Sequence, residues 1–133
     1  MIRLIRYKKI FFLLLVPFFI MATMLSGLDD IAKAFQSGDA SRVAGYFDKM
    51  VEMNMSGKEG AYSKSQAEQV LKDFFSKNKP IKFEFQHDGA SGGNNAYYAI
   101  GILKTENSKF RVSLYMKKND STFIIQELTI ENE

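Results

Sequence analysis

The sequence predicts an α+β domain in the order α-α-β-β-α-β-β-β-β, with a strongly bent antiparallel sheet and helices packed on its concave face. Three observations carry this prediction. A sharply specified amphipathic helix lies between Ser63 and Pro80, and its adjacent Phe74 and Phe75 need a broad apolar surface to lie on. Four strand-like runs follow it between Pro80 and Glu131. The turns joining those runs are short, which makes them antiparallel neighbours, and helices preceding such a meander cover one of its faces.

Taken in order, Leu28, Ile31, Ala32 and Phe35 recur at helical spacing and mark a first amphipathic helix. Asp29 and Asp30 stand in its first turn, where the helix dipole favours negative charge. Gly38 suits the left-handed residue that ends a helix, and Asp39 suits the cap of a second, short helix carrying Ala40, Val43, Ala44 and Phe47. From Lys49 the period changes. Val51, Met53 and Met55 alternate with Glu52 and Asn54, predicting a half-buried strand, and Ser56-Gly57-Lys58 turns it into a short partner at Glu59–Tyr62.

The helix after that hairpin has Ser63 as its N-cap and Gln66 in place to return the hydrogen bond, a capping box. Tyr62 and Ala67 occupy the staple positions. Ala67, Val70, Leu71, Phe74 and Phe75 form its apolar face, and Pro80 stops it.

Beyond Pro80 the alternation is of strand type. Phe83, Phe85 and His87 share one predicted face, against Lys82, Glu84 and Gln86. Residues 88–95, rich in Gly and Asn, read as a loop. Ala96–Lys104 is apolar on both faces, predicting a central strand, and Phe110, Val112, Leu114 and Met116 give the cleanest alternation in the chain. The last run changes phase: Phe123 and Ile125 fit one face, Leu128 and Ile130 the other. A bulge at Gln126-Glu127 would return all four to the core and bend the sheet there.

The first 26 residues stand apart. Arg3, Arg6, Lys8 and Lys9 precede a 16-residue apolar run from Ile10 to Leu25 that is followed by Ser26 and Gly27. This is the pattern of a secretory signal, cut near Ser26 or Gly27, with an uncleaved N-terminal anchor as the alternative. The run is short for a spanning helix and holds Pro17. Without those four cations, 14 basic side chains face 15 acidic ones, so the positive charge of the whole chain belongs to the leader. A nucleic-acid partner loses its support. Residues 27–133 are then a single domain, with membrane contact only through residues 1–26. There is no cysteine, which excludes disulfides, thiol chemistry, a lipoprotein anchor and cysteine-based metal sites.

The element order resembles the cystatin-like cone, also called nuclear-transport-factor-2-like. A closer resemblance is to a family of small exported bacterial proteins, the domain of unknown function 4783. It is carried by Phe35-Gln36-Ser37-Gly38-Asp39-Ala40, Phe47, Gly60 through Phe75, Tyr98-Ala99-Ile100-Gly101, Phe110-Arg111-Val112, and Ile125 with Leu128 and Ile130. The resemblance implies the cone fold and a periplasmic or envelope location. The superfamily holds isomerase- and dehydratase-like enzymes as well as noncatalytic binding modules, and dimers built through the open sheet face are common in it. Fold alone therefore leaves function open.

Few residues suggest chemistry. His87 is the only histidine and is a candidate general base; a lone His without converging carboxylates makes no metal site. Tyr97, Tyr98 and Tyr115 offer hydroxyls that could polarise a carbonyl, as isomerase-like relatives do. Glu127, beside the expected bulge, is the one late acidic residue with a route inward. The weak catalytic candidates are thus His87, Tyr98 and Glu127. If the cone is hollow, its expected lining is Met53, Met55, Phe74, Phe83, Phe85 and Tyr98, with the simpler reading that these pack the core. No cofactor or metal is indicated. The leading expectation is an exported noncatalytic binding or scaffold module, taking a small apolar ligand or a peptide; the alternative is an isomerase- or lyase-like enzyme using a pocket Tyr with His87 or Glu127.

Overall fold

A computed structural model of the chain describes residues 26–133. The expected signal segment therefore lies outside the described residues, and the expected cut near Ser26 or Gly27 falls at their edge. The elements are α1 (Ser26–Ser37), α2 (Ala40–Ala44), β1 (Phe47–Met55), β2 (Lys58–Ser63), α3 (Lys64–Lys77), β3 (Pro80–Ala90), β4 (Ala96–Thr105), β5 (Lys109–Asn119) and β6 (Thr122–Asn132). This is the predicted order, although the second helix ends at Ala44 and Phe47, expected on that helix, opens β1.

The six strands form one curved sheet, arranged β2-β1-β6-β5-β4-β3. All neighbours are antiparallel except β1 and β6, which run parallel. That one pair makes the sheet mixed. It arises because the β1–β2 hairpin joins the β3–β6 meander side by side, with α3 as the crossover between them. β4 is internal, flanked by β3 and β5, while β5 and β6 hold the middle.

The helices form as their ends dictate. Gly38 closes α1 at φ +65° with its amide on the Phe35 carbonyl, and Asp39 Oδ1 accepts from the Arg42 amide at 3.1 Å to start α2. The capping box of α3 is complete: Ser63 Oγ accepts from the Gln66 amide at 3.3 Å, and Gln66 Oε1 accepts from the Ser63 amide at 3.1 Å. The β1–β2 turn is two residues long, with Ser56 at φ +53° and Gly57 at φ +92°, matching the twist of the hairpin.

The expected bulge in β6 is present. Tyr115 pairs with Glu127 and Met116 with Ile125, leaving Gln126 as the extra residue. Phe123, Ile125, Leu128 and Ile130 are consequently all buried. A second bulge was not legible. Phe85 pairs with Gly101 but His87 with Ile100, so Gln86 is extra in β3. It reverses the alternation after Phe85. A third irregularity lies between Pro80 and Lys82. The expected 88–95 loop is also shorter, because Asp88, Gly89 and Ala90 pair with Ala99, Tyr98 and Tyr97.

The inner face of the sheet is covered by the helices. Ile31, Ala34 and Phe35 of α1, Val43 of α2, and Ala67, Leu71 and Phe75 of α3 meet Val51, Met53, Leu103, Val112, Leu114, Met116, Ile125 and Leu128. Phenylalanines interlock across this layer. Phe35 stacks on Phe83 with centroids 5.0 Å apart, Phe75 meets Phe35 edge-on at 6.2 Å, and Phe74 meets Phe110 edge-on at 5.1 Å. Among the described residues no helix is long and apolar enough to cross a membrane.

Candidate functional site

The cone is the first place to look for a site, and side chains fill it. Met53 is 2% exposed and Phe83 4%, both packed into the core, while Met55, Phe74 and Phe85 are half-buried against its margin. Gly101 shows how close the packing is. A Cβ there would stand 2.6 Å from Phe83 Cζ and 2.7 Å from the Glu84 carbonyl, so the Phe83 ring occupies the space that only glycine leaves free. Phe74 and Phe75, the two residues that decide whether a hollow exists, lie against Phe110 and Phe35.

Three expected site residues are elsewhere. His87 does not share a face with Phe83 and Phe85: the Gln86 bulge turns it to the outer face, opposite Ile100, where it is exposed. Tyr98 does not line the cone with those phenylalanines either. It pairs with Gly89 and Tyr115 on the outer face, and its ring lies over Gly89, where a Cβ would be 3.4 Å from Tyr98 Cε1. Glu127 does not turn inward, because the bulge absorbs Gln126 and leaves Glu127 exposed beside Tyr115 and Glu52.

These three do not converge. His87 on β3 and Glu127 on β6 are separated by two intervening strands, β4 and β5, which puts them on the order of 15 Å apart at the usual strand spacing. Tyr98 and Glu127 have Tyr115 between them in the same cross-strand row. A proton cannot pass directly between groups so placed, since general acid–base partners need hydrogen-bond reach. Among the described residues, no three His, Asp or Glu side chains are grouped to hold a metal.

Two features escaped the sequence reading. The first is at the rim. Tyr97 donates its hydroxyl to Asp88 Oδ1 at 2.6 Å, its ring meets Phe123 at 5.1 Å, and Lys118 Nζ stands 5.7 Å from both ring centroids. The hydrogen bond to the Asp88 carboxylate, with lesser help from burial, holds the Tyr97 hydroxyl above its ordinary pKa of 10.0. The sequence signal was two strand residues flanking a glycine-rich connection, hidden by taking Asp88 into the loop. The second is a shallow groove of about 390 Å³ on the outer face, lined by Glu52, Asn54, Glu59, Ala61, Glu127 and Thr129 among others. Its residues come from three strands, so no sequence window contains it.

The rest of the outer face is mixed. Tyr98, Ile100, Ile102 and Ile124 are half-buried, Tyr115 is 38% exposed, and Lys104, Lys109, Arg111 and Lys117 surround them. These partly accessible apolar and aromatic side chains set the outer face apart from an ordinary solvated sheet surface.

The fold and family of the chain are shared with solved structures. A DUF4783 family protein from Bacteroides uniformis is 27% identical, with a TM-score of 0.72 over 79% of this chain and 95% of that one. A second from Bacteroides ovatus is also 27% identical, with a TM-score of 0.71 over 78% and 93%. At 15% identity, a putative calcium/calmodulin dependent protein kinase II association domain from Xanthomonas campestris shares the fold, with a TM-score of 0.59 over 80% and 82%. None of the curated proteins matches the chain. The family described as "Domain of unknown function (DUF4783)" matches residues 28–131. The chain therefore belongs to the DUF4783 family, and its α+β cone is of the nuclear-transport-factor-2-like kind.

Proposed function

We propose that this protein is an exported, noncatalytic binding module that engages a protein partner through the outer face of its sheet. One observation carries the reading: the interior is filled by Phe35, Phe83 and Met53, whereas Tyr98, Ile100, Ile102 and Tyr115 stand on a face that no helix among the described residues covers. Among the described residues the space between helices and sheet is packed with side chains, and Glu127 is out of reach of both His87, two intervening strands away, and Tyr98, with Tyr115 between them. Export rests on the basic start and apolar run of residues 1–26. The envelope is then where the partner would be met.

Site-specific photo-crosslinking in cells tests this. A benzophenone amino acid at Tyr115 is expected to yield a discrete crosslinked product, and one at Lys72 on the exposed side of α3 is not. Absence of a product from position 115 would overturn the reading, as would a small organic molecule retained on native mass spectrometry of the protein purified from its own envelope. A product of twice the chain's mass would identify the partner as a second copy.

A further inference from the structure

The two edges of the sheet are unequal. β3 is guarded: it begins with Pro80, carries irregularities before Lys82 and at Gln86, and bears Lys82, Glu84, His87 and Asp88. The Phe83 amide is already bound by Gln36 Oε1 at 3.3 Å. These are the devices that keep an edge from recruiting another strand. β2 has no bulge and no proline.

The backbone groups that β2 leaves unpaired follow from its register. The two-residue turn makes Met55 and Lys58 a hydrogen-bonded pair, and the pattern repeats at Met53 with Gly60 and at Val51 with Tyr62. Consistently, the Ser56 amide points the other way, to the Ile130 carbonyl at 2.8 Å. Glu59, Ala61 and Ser63 therefore present their amides and carbonyls outward. Gln66 takes the Ser63 amide. The amides and carbonyls of Glu59 and Ala61 have no partner among the described residues, and both residues are exposed.

Charge selects what fits there. Glu59 and Ala61 lie on the outer face, beside the groove that holds Glu52 and Glu127. Glu52 and Glu127 are register partners across β1 and β6, so two like charges stand side by side, an arrangement that costs stability. No cation answers them: the ion pairs among the described residues are Asp29–Lys33, Asp73–Lys77 and Lys82–Glu84. A second copy docking edge to edge would bring Glu59 and its groove against themselves.

We propose that the free edge of β2 accepts an extended, lysine- or arginine-bearing polypeptide segment as a seventh strand. It forms main-chain hydrogen bonds with Glu59 and Ala61. Its alternate side chains fall on the outer face, where they meet Glu59 directly and reach Glu52 across β2, with Glu127 adding to the field. The inference rests on the binding-module reading and names its partner's chemistry.

The test uses residues 27–133 as the mature domain and a ten-residue peptide alternating lysine and threonine, with an alternating glutamate and threonine peptide as control. Binding of the lysine peptide is expected to slow hydrogen exchange at the Glu59 and Ala61 amides. Two variants are expected to weaken it at least tenfold: Ala61→Pro, which removes an outward N–H that an edge strand can spare, and Glu52→Gln with Glu59→Gln, which leaves the backbone intact. Glu106→Gln, in the distant β4–β5 turn, is expected to bind as the parent does. Equal binding of the two peptides, protection confined to β3, or indifference to both variants would overturn the proposal. So would an Ala61-dependent doubling of mass. Crosslinks from position 115 that persist without peptide binding would sink this inference and leave the binding-module reading standing.

Discussion

Phe35 of α1 and Phe83 of β3 lie nearly parallel in the middle of the cone, with centroids 5.0 Å apart and planes inclined by 25°. Phe35 is fully buried and Phe83 is 4% exposed. Phe75 abuts Phe35 edge-on, and Phe85 abuts Phe83 in the same way at 4.8 Å. The stack bridges helix and sheet across the space that a hollow cone would leave for a ligand.

Replacing Phe83 by Ala removes the sheet half of that stack. The expected cost is about 3–5 kcal/mol, the usual range for a large aromatic deleted from a core. Urea unfolding followed by circular dichroism checks it. The vacated space is apolar, so the variant, unlike the parent, is expected to be stabilised by a small apolar molecule such as indole.

Gly101→Ala tests the same packing from below. The added methyl has no free space beside Phe83 Cζ and the Glu84 carbonyl, so β3 must shift or the Phe83 ring must leave its place. A loss of about 1–3 kcal/mol is expected, as for other overpacked cores. A change within error of the parent would show that the ring yields freely.

Ser63→Ala removes half of the capping box of α3. One orphan amide, that of Gln66, loses its acceptor, at an expected cost of about 1 kcal/mol. A lowered thermal midpoint with an unchanged far-ultraviolet spectrum at low temperature is the expected result.

Tyr97 supplies a pH dependence. Its hydroxyl titrates above 10.0 in the folded chain because it donates to Asp88. The folded state thus holds this proton more tightly than the unfolded state does. The stabilisation is fully present below pH 10.0 and is lost as pH rises from there through the folded value. Tyr97→Phe is expected to make the alkaline fall in stability shallower, with the difference from the parent confined to that window. Denaturant midpoints across the alkaline range measure it.

His87→Ala separates a surface histidine from a catalytic or structural one. Exposed on the outer face, His87 makes no side-chain hydrogen bond and no core contact among the described residues, so stability is expected to change by no more than about 0.5 kcal/mol. A loss several times larger, measured by urea unfolding, would contradict its outward placement.

Much of the fold was legible because its signals are local. The capping box is a four-residue pattern, Gly38 and Asp39 punctuate the joint between α1 and α2 within two residues, and β5 alternates without interruption. Even the β6 bulge could be read, because Phe123 and Ile125 fall out of phase with Leu128 and Ile130 and all four are large and apolar. The β3 bulge could not. His87 and Asp88 are both polar, and a phase change among polar residues leaves no trace in hydropathy. That single extra residue moved the only histidine to the other side of the sheet.

By itself, then, the sequence determined the elements, their order, their caps and the family, since each depends on neighbours within a turn or a strand. Tertiary structure decided how the cone is filled, which way β1 runs beside β6, where His87, Tyr98 and Glu127 point, and which strands form the edges of the sheet among the described residues. Those outcomes depend on register and interdigitation between strands and helices distant in the chain. Phe35 has no way of announcing, from its place before Gly38, that it will meet Phe83 beyond Pro80 and close the cone.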